Sequence, residues 1–271
     1  MGNVIGVLVI AAVLLYILNG LAEKDQLSAA KWSPFLEGDT WQYYILPGLL
    51  NTLKAAAVAI LTSVVFGLAL GLGRLSAFAP LRWITGTIVE FLRAVPVLLM
   101  MIFLWFGISM LDIMPAGNVP FVAVVTALTL YNGSVIAELV RSGVYGLPSG
   151  QREAALAIGM TRPQSLRSIE VPQALVAMLP ALISQFVVIL KDSALGYIIT
   201  YSELLSTSRR LGSGEGNMLP ALIVAAVIFI VINYSLSSMA QWLSRFLSFR
   251  AHKPVRKEEP LMDASNNAGV L

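Results

Sequence analysis

Polar and charged side chains stand at a few points inside otherwise apolar stretches, and their types suit binding rather than catalysis. Glu90 and Arg93 lie three apart, just before Pro96. Asn132, Ser134, Glu138 and Arg141 follow within one apolar segment, Gln185 sits in another, and Lys191-Asp192 closes that one. An arginine or lysine facing a cavity could hold a carboxylate through charge-assisted hydrogen bonds. Isolated polar groups at membrane depth are functional candidates by default, because burying them without purpose is costly. Plainer readings stand beside this one. Glu90 and Arg93 at helical i,i+3 spacing can simply brace one another, which is the favoured reading for Glu90, while Arg93 stays open because it adjoins Pro96. Ser134 suits interhelical glue, and Glu138 with Arg141 could form a salt bridge at a helix end. The chain has no cysteine, so thiol chemistry and disulfides are excluded. Its single histidine, His252, falls in a polar basic tail. No metal site, clustered catalytic set or nucleic-acid footprint is visible, and no G-x-x-x-x-G-K-[ST] phosphate loop occurs.

The elements that position these groups are membrane helices. Of 271 residues 57% are hydrophobic and only 12% charged, and mean hydropathy is +0.79, values of a polytopic membrane protein. Apolar runs predict six spans: Val4 to Leu18, about Leu49 to Gly73, Trp83 to Met110 with a kink at Pro96, Phe121 to Val144, Gln173 to Leu190, and Leu219 to Leu243. Ser63, Gly67 and Gly71 fall four apart, a small-residue stripe for close helix packing. Tyr197 to Leu205 is too short to cross, and reads as re-entrant or flat at the outer face. Arg209 to Asn217 reads as a Gly-rich polar turn.

The longest polar interruption, Ser149 to Pro172 (SGQREAALAIGMTRPQSLRSIEVP), reads as two short helices. Ser149 or Gly150 can cap the first and Gly159 can end it. Thr161 and Gln164 have capping-box spacing for the second, with Pro172 at its far end. The small side chains of Ala154, Ala155 and Ala157, with charge at Arg152 and Glu153, suit a helix that enters a partner's groove. A helix resting on the bilayer surface is equally compatible with these residues. Placing this loop in the cytoplasm puts Arg74, Arg82, Arg141, Arg152, Arg162, Arg167 and the Arg245 to Lys257 cluster inside. Only Lys24, Lys31, Lys191, Arg209 and Arg210 then fall outside, as the positive-inside rule requires. Both termini are then cytoplasmic. The chain divides into 1–46 (first helix and extracellular linker), 47–245 (core, with the loop at 149–172) and 246–271 (basic tail).

Glu153-Ala154-Ala155, with Gly159 three residues after Leu156, resembles the EAA loop of ABC importer permeases. Gln151 before it and Met160-Thr161 after it resemble the polar amino acid subfamily. Further pieces occur in family order: Gly48-Leu49-Leu50-Asn51-Thr52-Leu53, then Glu90, Arg93 and Pro96, then Glu138 and Arg141. Leu190-Lys191-Asp192-Ser193 before Glu203-Leu204 completes the series. The resemblance implies an all-α, type I ABC importer permease fold with six transmembrane helices and a cytoplasmic coupling helix, in the cytoplasmic membrane of a prokaryote. It implies that Gln151, Arg152, Glu153, Ala154, Ala155, Gly159 and Met160 couple to ABC ATPase subunits, which hold the ATP and magnesium. The path or gate would involve Arg93, Pro96, Asn132, Ser134, Glu138, Gln185, Lys191 and Asp192. Implied partners are a second permease subunit, identical or homologous, an extracellular substrate-binding protein, membrane lipid and a polar amino acid substrate. Glutamate is the first choice of substrate; glutamine, histidine or a basic amino acid are the alternatives. Ala94-Val95, Val135, Ser184 and Ala194 depart from the subfamily pattern where a path would run, so the pocket is not copied residue for residue. The competing class, an ion-driven secondary transporter, would show an inverted repeat with discontinuous helices, and none is found.

Overall fold

A computed structural model describes residues 2–251, and those residues are almost entirely helical. Among them five helices are long and apolar enough to cross a membrane, or six if one sharply bent pair counts as a single crossing. The protein is therefore an integral membrane protein. The tail beyond residue 251, with His252 and most of the basic 246–271 segment, lies outside the described residues.

Helix α1 (Gly2–Glu23) is apolar all round, and its most apolar stretch has no residue buried against protein. That is the pattern of a helix whose faces are covered by lipid. It runs past Asn19-Gly20, where the sequence predicts an end. Short helical turns at Ala29–Trp32 and Ser33–Leu36 lead to α2 (Gly38–Arg74), which starts well before the predicted Leu49 and contains a π-helical turn at Trp41–Ile45. This linker is docked: Phe35 joins a cluster with Leu211 and Ala221, and Lys31 Nζ donates to the Gly216 carbonyl at 3.0 Å.

The spine of the fold is α2 against α5 (Val119–Tyr145). Ser63, Gly67 and Gly71 are buried along their seam, as the small-residue stripe predicts. A Cβ on Gly67 would lie 2.7 Å from the Gly133 carbonyl oxygen, so only glycine lets the two backbones approach this closely. A core of Ala55, Ala59, Met101, Ala123, Ala127 and Leu128 fills one half of the bundle, and Ile136, Val140, Ala174 and Met178 fill the other.

The predicted third span is not one kinked helix. It is α3 (Ala79–Ala94) and α4 (Val97–Leu111), meeting at 98°. Pro96 supplies no N–H and pushes the preceding residue out of the helical region, and Val95 is accordingly extended (φ −86°, ψ 127°). After α6 (Ser149–Ala157), α7 (Arg162–Ile199) runs unbroken through Pro172. Pro172 therefore does not close a second loop helix. The turn before it widens to π-helical over Leu166–Glu170, which relieves the clash a proline ring makes with the preceding turn.

Beyond α7 the chain turns at Thr200 (φ 65°) and is extended before α8 (Leu204–Gly214). The predicted polar turn at Arg209 to Asn217 is thus mostly helix. Glu203 caps that helix, accepting from the Leu205 and Ser206 N–H groups at 2.7 and 2.6 Å, and the turn proper lies near Gly216 (φ 62°). Helix α9 (Met218–Ala251) completes the chain.

Candidate functional site

Three polar centres line up from one end of the bundle toward the other. The first is the loop helix α6. It begins at Ser149 with Pro148 in the cap position, so neither Ser149 nor Gly150 caps it; proline's fixed φ suits the entry to a helix. Gly159 (φ 86°) stops it as predicted: its N–H donates to the Leu156 carbonyl at 3.0 Å and the Met160 N–H to the Ala155 carbonyl at 3.1 Å. These two bonds form a Schellman stop that requires the left-handed glycine. Gln164 Oε1 then accepts from the Thr161 N–H at 2.8 Å, completing the predicted capping box. Ala155 is buried, whereas Gln151, Glu153, Ala154, Ala157 and Gly159 are exposed, and Arg152 and Met160 are half-exposed. Two large apolar side chains, Leu156 (45% exposed) and Ile158 (79%), also face outward. Both are therefore free for contact with another molecule.

The second centre is a chain of alternating charges across three helices. Arg74, the last residue of α2, reaches Glu138 of α5 at 2.7 Å and Glu90 of α3 at 3.1 Å. Glu138 also binds Arg141 at 2.6 Å, and Arg93 lies 3.7 Å from Glu90. Thus Glu90, Arg93, Glu138 and Arg141 do pair as the bracing reading holds, but Arg74, absent from the sequence-based candidates, joins the two pairs. It is the most enclosed of the three arginines, at 13% exposure. A shared cation between two carboxylates fixes the ends of α2, α3 and α5 relative to one another.

The third centre lies deeper. Asn132 is fully buried, and its Oδ1 accepts from Gln185 Nε2 of α7 at 2.5 Å while its Nδ2 donates to the Leu128 carbonyl at 2.9 Å. Two of the predicted path residues are thereby brought together. Ser134 is buried but bonds within its own helix, donating to the Tyr131 carbonyl at 2.6 Å. Pro96 and Arg93 sit exposed at the break between α3 and α4. At the opposite end from α6, Lys191 is exposed and Asp192 half-buried, and neither is ion-paired among the described residues.

That opposite end also joins two motifs widely separated in the chain. Tyr201 Oη donates to the Asn51 carbonyl at 2.8 Å, Asn51 Nδ2 to the Ser202 carbonyl at 2.9 Å, and the Leu204 N–H to Thr52 Oγ1 at 3.0 Å. Gly48 admits this approach, since a Cβ there would stand 2.9 Å from Leu204 Cα. Burial pushes the Tyr201 phenol up to about 12, with the nearby Glu203 charge adding to it. Burial also lifts the Glu203 carboxyl to about 7, against the pull of its two backbone N–H partners. Among the described residues no group of three or more His, Asp or Glu could hold a metal ion.

The bundle thus combines broken and unbroken spans with an ion-paired end and a loop helix stopped by glycine. The chain matches the family described as "Binding-protein-dependent transport system inner membrane component" over residues 63–249, and it belongs to that family. It is an amino acid ABC importer permease, an integral inner membrane component. It is 49% identical over 241 residues to the glutamate transport system permease protein GluD of Corynebacterium glutamicum, covering 89% of this chain and 88% of that one. It is 31% identical over 209 residues to the glutamate/aspartate import permease protein GltK of Escherichia coli O157:H7, covering 74% and 92%. Among solved structures, a crystal structure of an amino acid ABC transporter with histidines aligns with a TM-score of 0.68 at 29% identity, covering 74% of this chain and 92% of that one. The MetNI methionine transporter, at 20% identity and a TM-score of 0.66, shares the fold.

Proposed function

We propose that this chain is the transmembrane subunit of an ATP-driven importer that moves glutamate across the cytoplasmic membrane by alternating access. The observation that carries this is α6, a nine-residue helix ended by a Schellman stop, with Leu156 on it and Ile158 just past it facing outward. It seats in a partner ATPase, which holds ATP and magnesium, and it bears Gln151, Arg152, Glu153 and Ala154, with Ala155 fixing it from beneath and Gly159 and Met160 ending it. Nucleotide-driven closure of the ATPase displaces α6, and differential contacts in the two states switch access. A second permease subunit completes the path, and an extracellular binding protein delivers substrate. In this orientation α6 and both termini are cytoplasmic, following the basic residues.

Arg93, at the break made by Pro96, and Asn132 with Gln185 line the path, flanked by Ser134. Glu138 closes it at the inner end, and Lys191 with Asp192 gates the outer end. Support for glutamate comes from two relatives, both named for glutamate transport. The test is uptake of labelled glutamate by proteoliposomes carrying the complete complex, with unlabelled competitors. Competition by glutamate well ahead of glutamine, histidine and arginine is expected. Equal or stronger competition by a basic amino acid would reassign the substrate.

A further inference from the structure

Glu170 lies in the π-helical first turns of α7, and its side chain is only 2% exposed. A carboxylate so removed from water persists only where its charge is met by partners. Its partners come from two directions. Arg162 Nη1 at 3.0 Å and Ser165 Oγ at 2.8 Å donate from the start of α7 itself. Arg152 Nε donates at 3.3 Å from α6, across eighteen residues of chain. The other side-chain bond between α6 and α7 is Gln173 Nε2 to Gln151 Oε1 at 3.1 Å, which is exposed to solvent. Enclosed electrostatic contacts hold more firmly than wet ones, so Glu170 is the stronger tie.

In the connection between the two helices, residues 158–161, the bonds of the glycine stop return to α6 and those of the capping box to α7, so none of them ties one helix to the other. Without a clamp, displacement of α6 would be absorbed there. With one, it passes to α7, which runs unbroken to Gln185 and its hydrogen bond to buried Asn132. We infer that Glu170 is a positioning residue for transport, clamping α6 to α7 through Arg152 so that motion of the loop helix reaches the path. The inference rests on the reading of α6 as the ATPase contact.

The test uses the complete complex in proteoliposomes and measures three quantities: ATPase retained on purification, ATP hydrolysed, and glutamate imported per ATP. E170Q is expected to keep the ATPase bound while import per ATP falls about tenfold, and E170D to restore part of the ratio. R152Q, which opens the same clamp from its exposed side, is expected to lower the ratio too, and the double variant to fall no further than E170Q. Should E170Q fail to fold, R152Q decides with its ATPase retention read first: a lowered ratio with the ATPase retained supports the clamp, and loss of the ATPase overturns it. An unchanged ratio in R152Q or in assembled E170Q overturns the clamp. So does loss of the ATPase from E170Q and E170D, which would make Glu170 a support for docking rather than for transmission. Failure of the unaltered chain to retain an ATPase would instead overturn the reading of α6, and the clamp with it.

Discussion

Alanine at Gly67 is expected to lower the unfolding free energy of the isolated permease in detergent by about 2 kcal/mol, whereas alanine at Gly86 raises it by up to about 1 kcal/mol. A Cβ on Gly67 would stand 2.7 Å from both the Gly133 carbonyl oxygen and Ile136 Cβ. Neither atom can rotate away, so α2 and α5 must separate along their shared seam. Overpacking of this kind costs ~1–3 kcal/mol, and a seam that opens along its length belongs at the upper end. The gain in helix propensity on replacing glycine, ~1 kcal/mol, offsets part of it. At Gly86 an added Cβ meets nothing within 4 Å, so propensity acts alone. Gly133 falls between the two, because its nearest obstacle is the Phe66 ring edge at 2.6 Å, the end of a side chain that can turn. Unfolding titrations of the three variants beside the unaltered chain read these differences directly. A Gly67 variant as stable as the parent, or a Gly86 variant that loses as much as Gly67, would refute close packing as the reason for glycine here.

Arg74→Gln removes the cation shared by Glu90 and Glu138 and is expected to cost about 2 kcal/mol, while Arg93→Gln, whose pair is long and exposed, costs under about 0.5 kcal/mol; equal losses in unfolding titrations would contradict a hub at Arg74. The folded Glu203 carboxyl holds its proton to about 7 against an unfolded value of 4.5, so between those values the folded state binds more protons and stability falls as pH rises. The full decline is bounded at about 3 kcal/mol and is flat above about pH 7, and E203Q should abolish the slope; a slope that persists in E203Q belongs to another group. Asn132→Ala and Gln185→Ala should be non-additive by about 1 kcal/mol in a double-mutant cycle, and additivity would mean that their hydrogen bond contributes nothing.

Features governed by local chemistry were legible in the sequence. Gly159 and the Thr161–Gln164 pair act within a few residues of themselves, and the structure places the stop and the capping box where spacing predicts. Hydropathy located the spans, and the Ser63, Gly67, Gly71 stripe located the packing face of α2. Pro96 signalled an irregularity but not its size, because a 98° break also depends on what α3 and α4 pack against. Arg74 escaped notice because its partners Glu90 and Glu138 stand on other helices; the available signal was a basic residue at a span end matched by lone glutamates in two neighbouring spans. Glycines at 212, 214 and 216 pointed to a turn, yet Gly212 is buried beneath Met218 and Ala221, and the Glu203 cap outweighs them. Glu170 carries no local cue in the sequence, since nothing in its neighbours announces that Arg152 folds back over it.

Absence of native cysteine makes the central claim directly accessible. A single cysteine replacing Ile158, the 79%-exposed residue at the tip of α6, can be crosslinked with a short reagent in the assembled complex. The account predicts a crosslink from this position to the ATPase, with a yield that changes when nucleotide binds. Crosslinks to lipid or to the permease alone, with none to the ATPase in any nucleotide state, would contradict it.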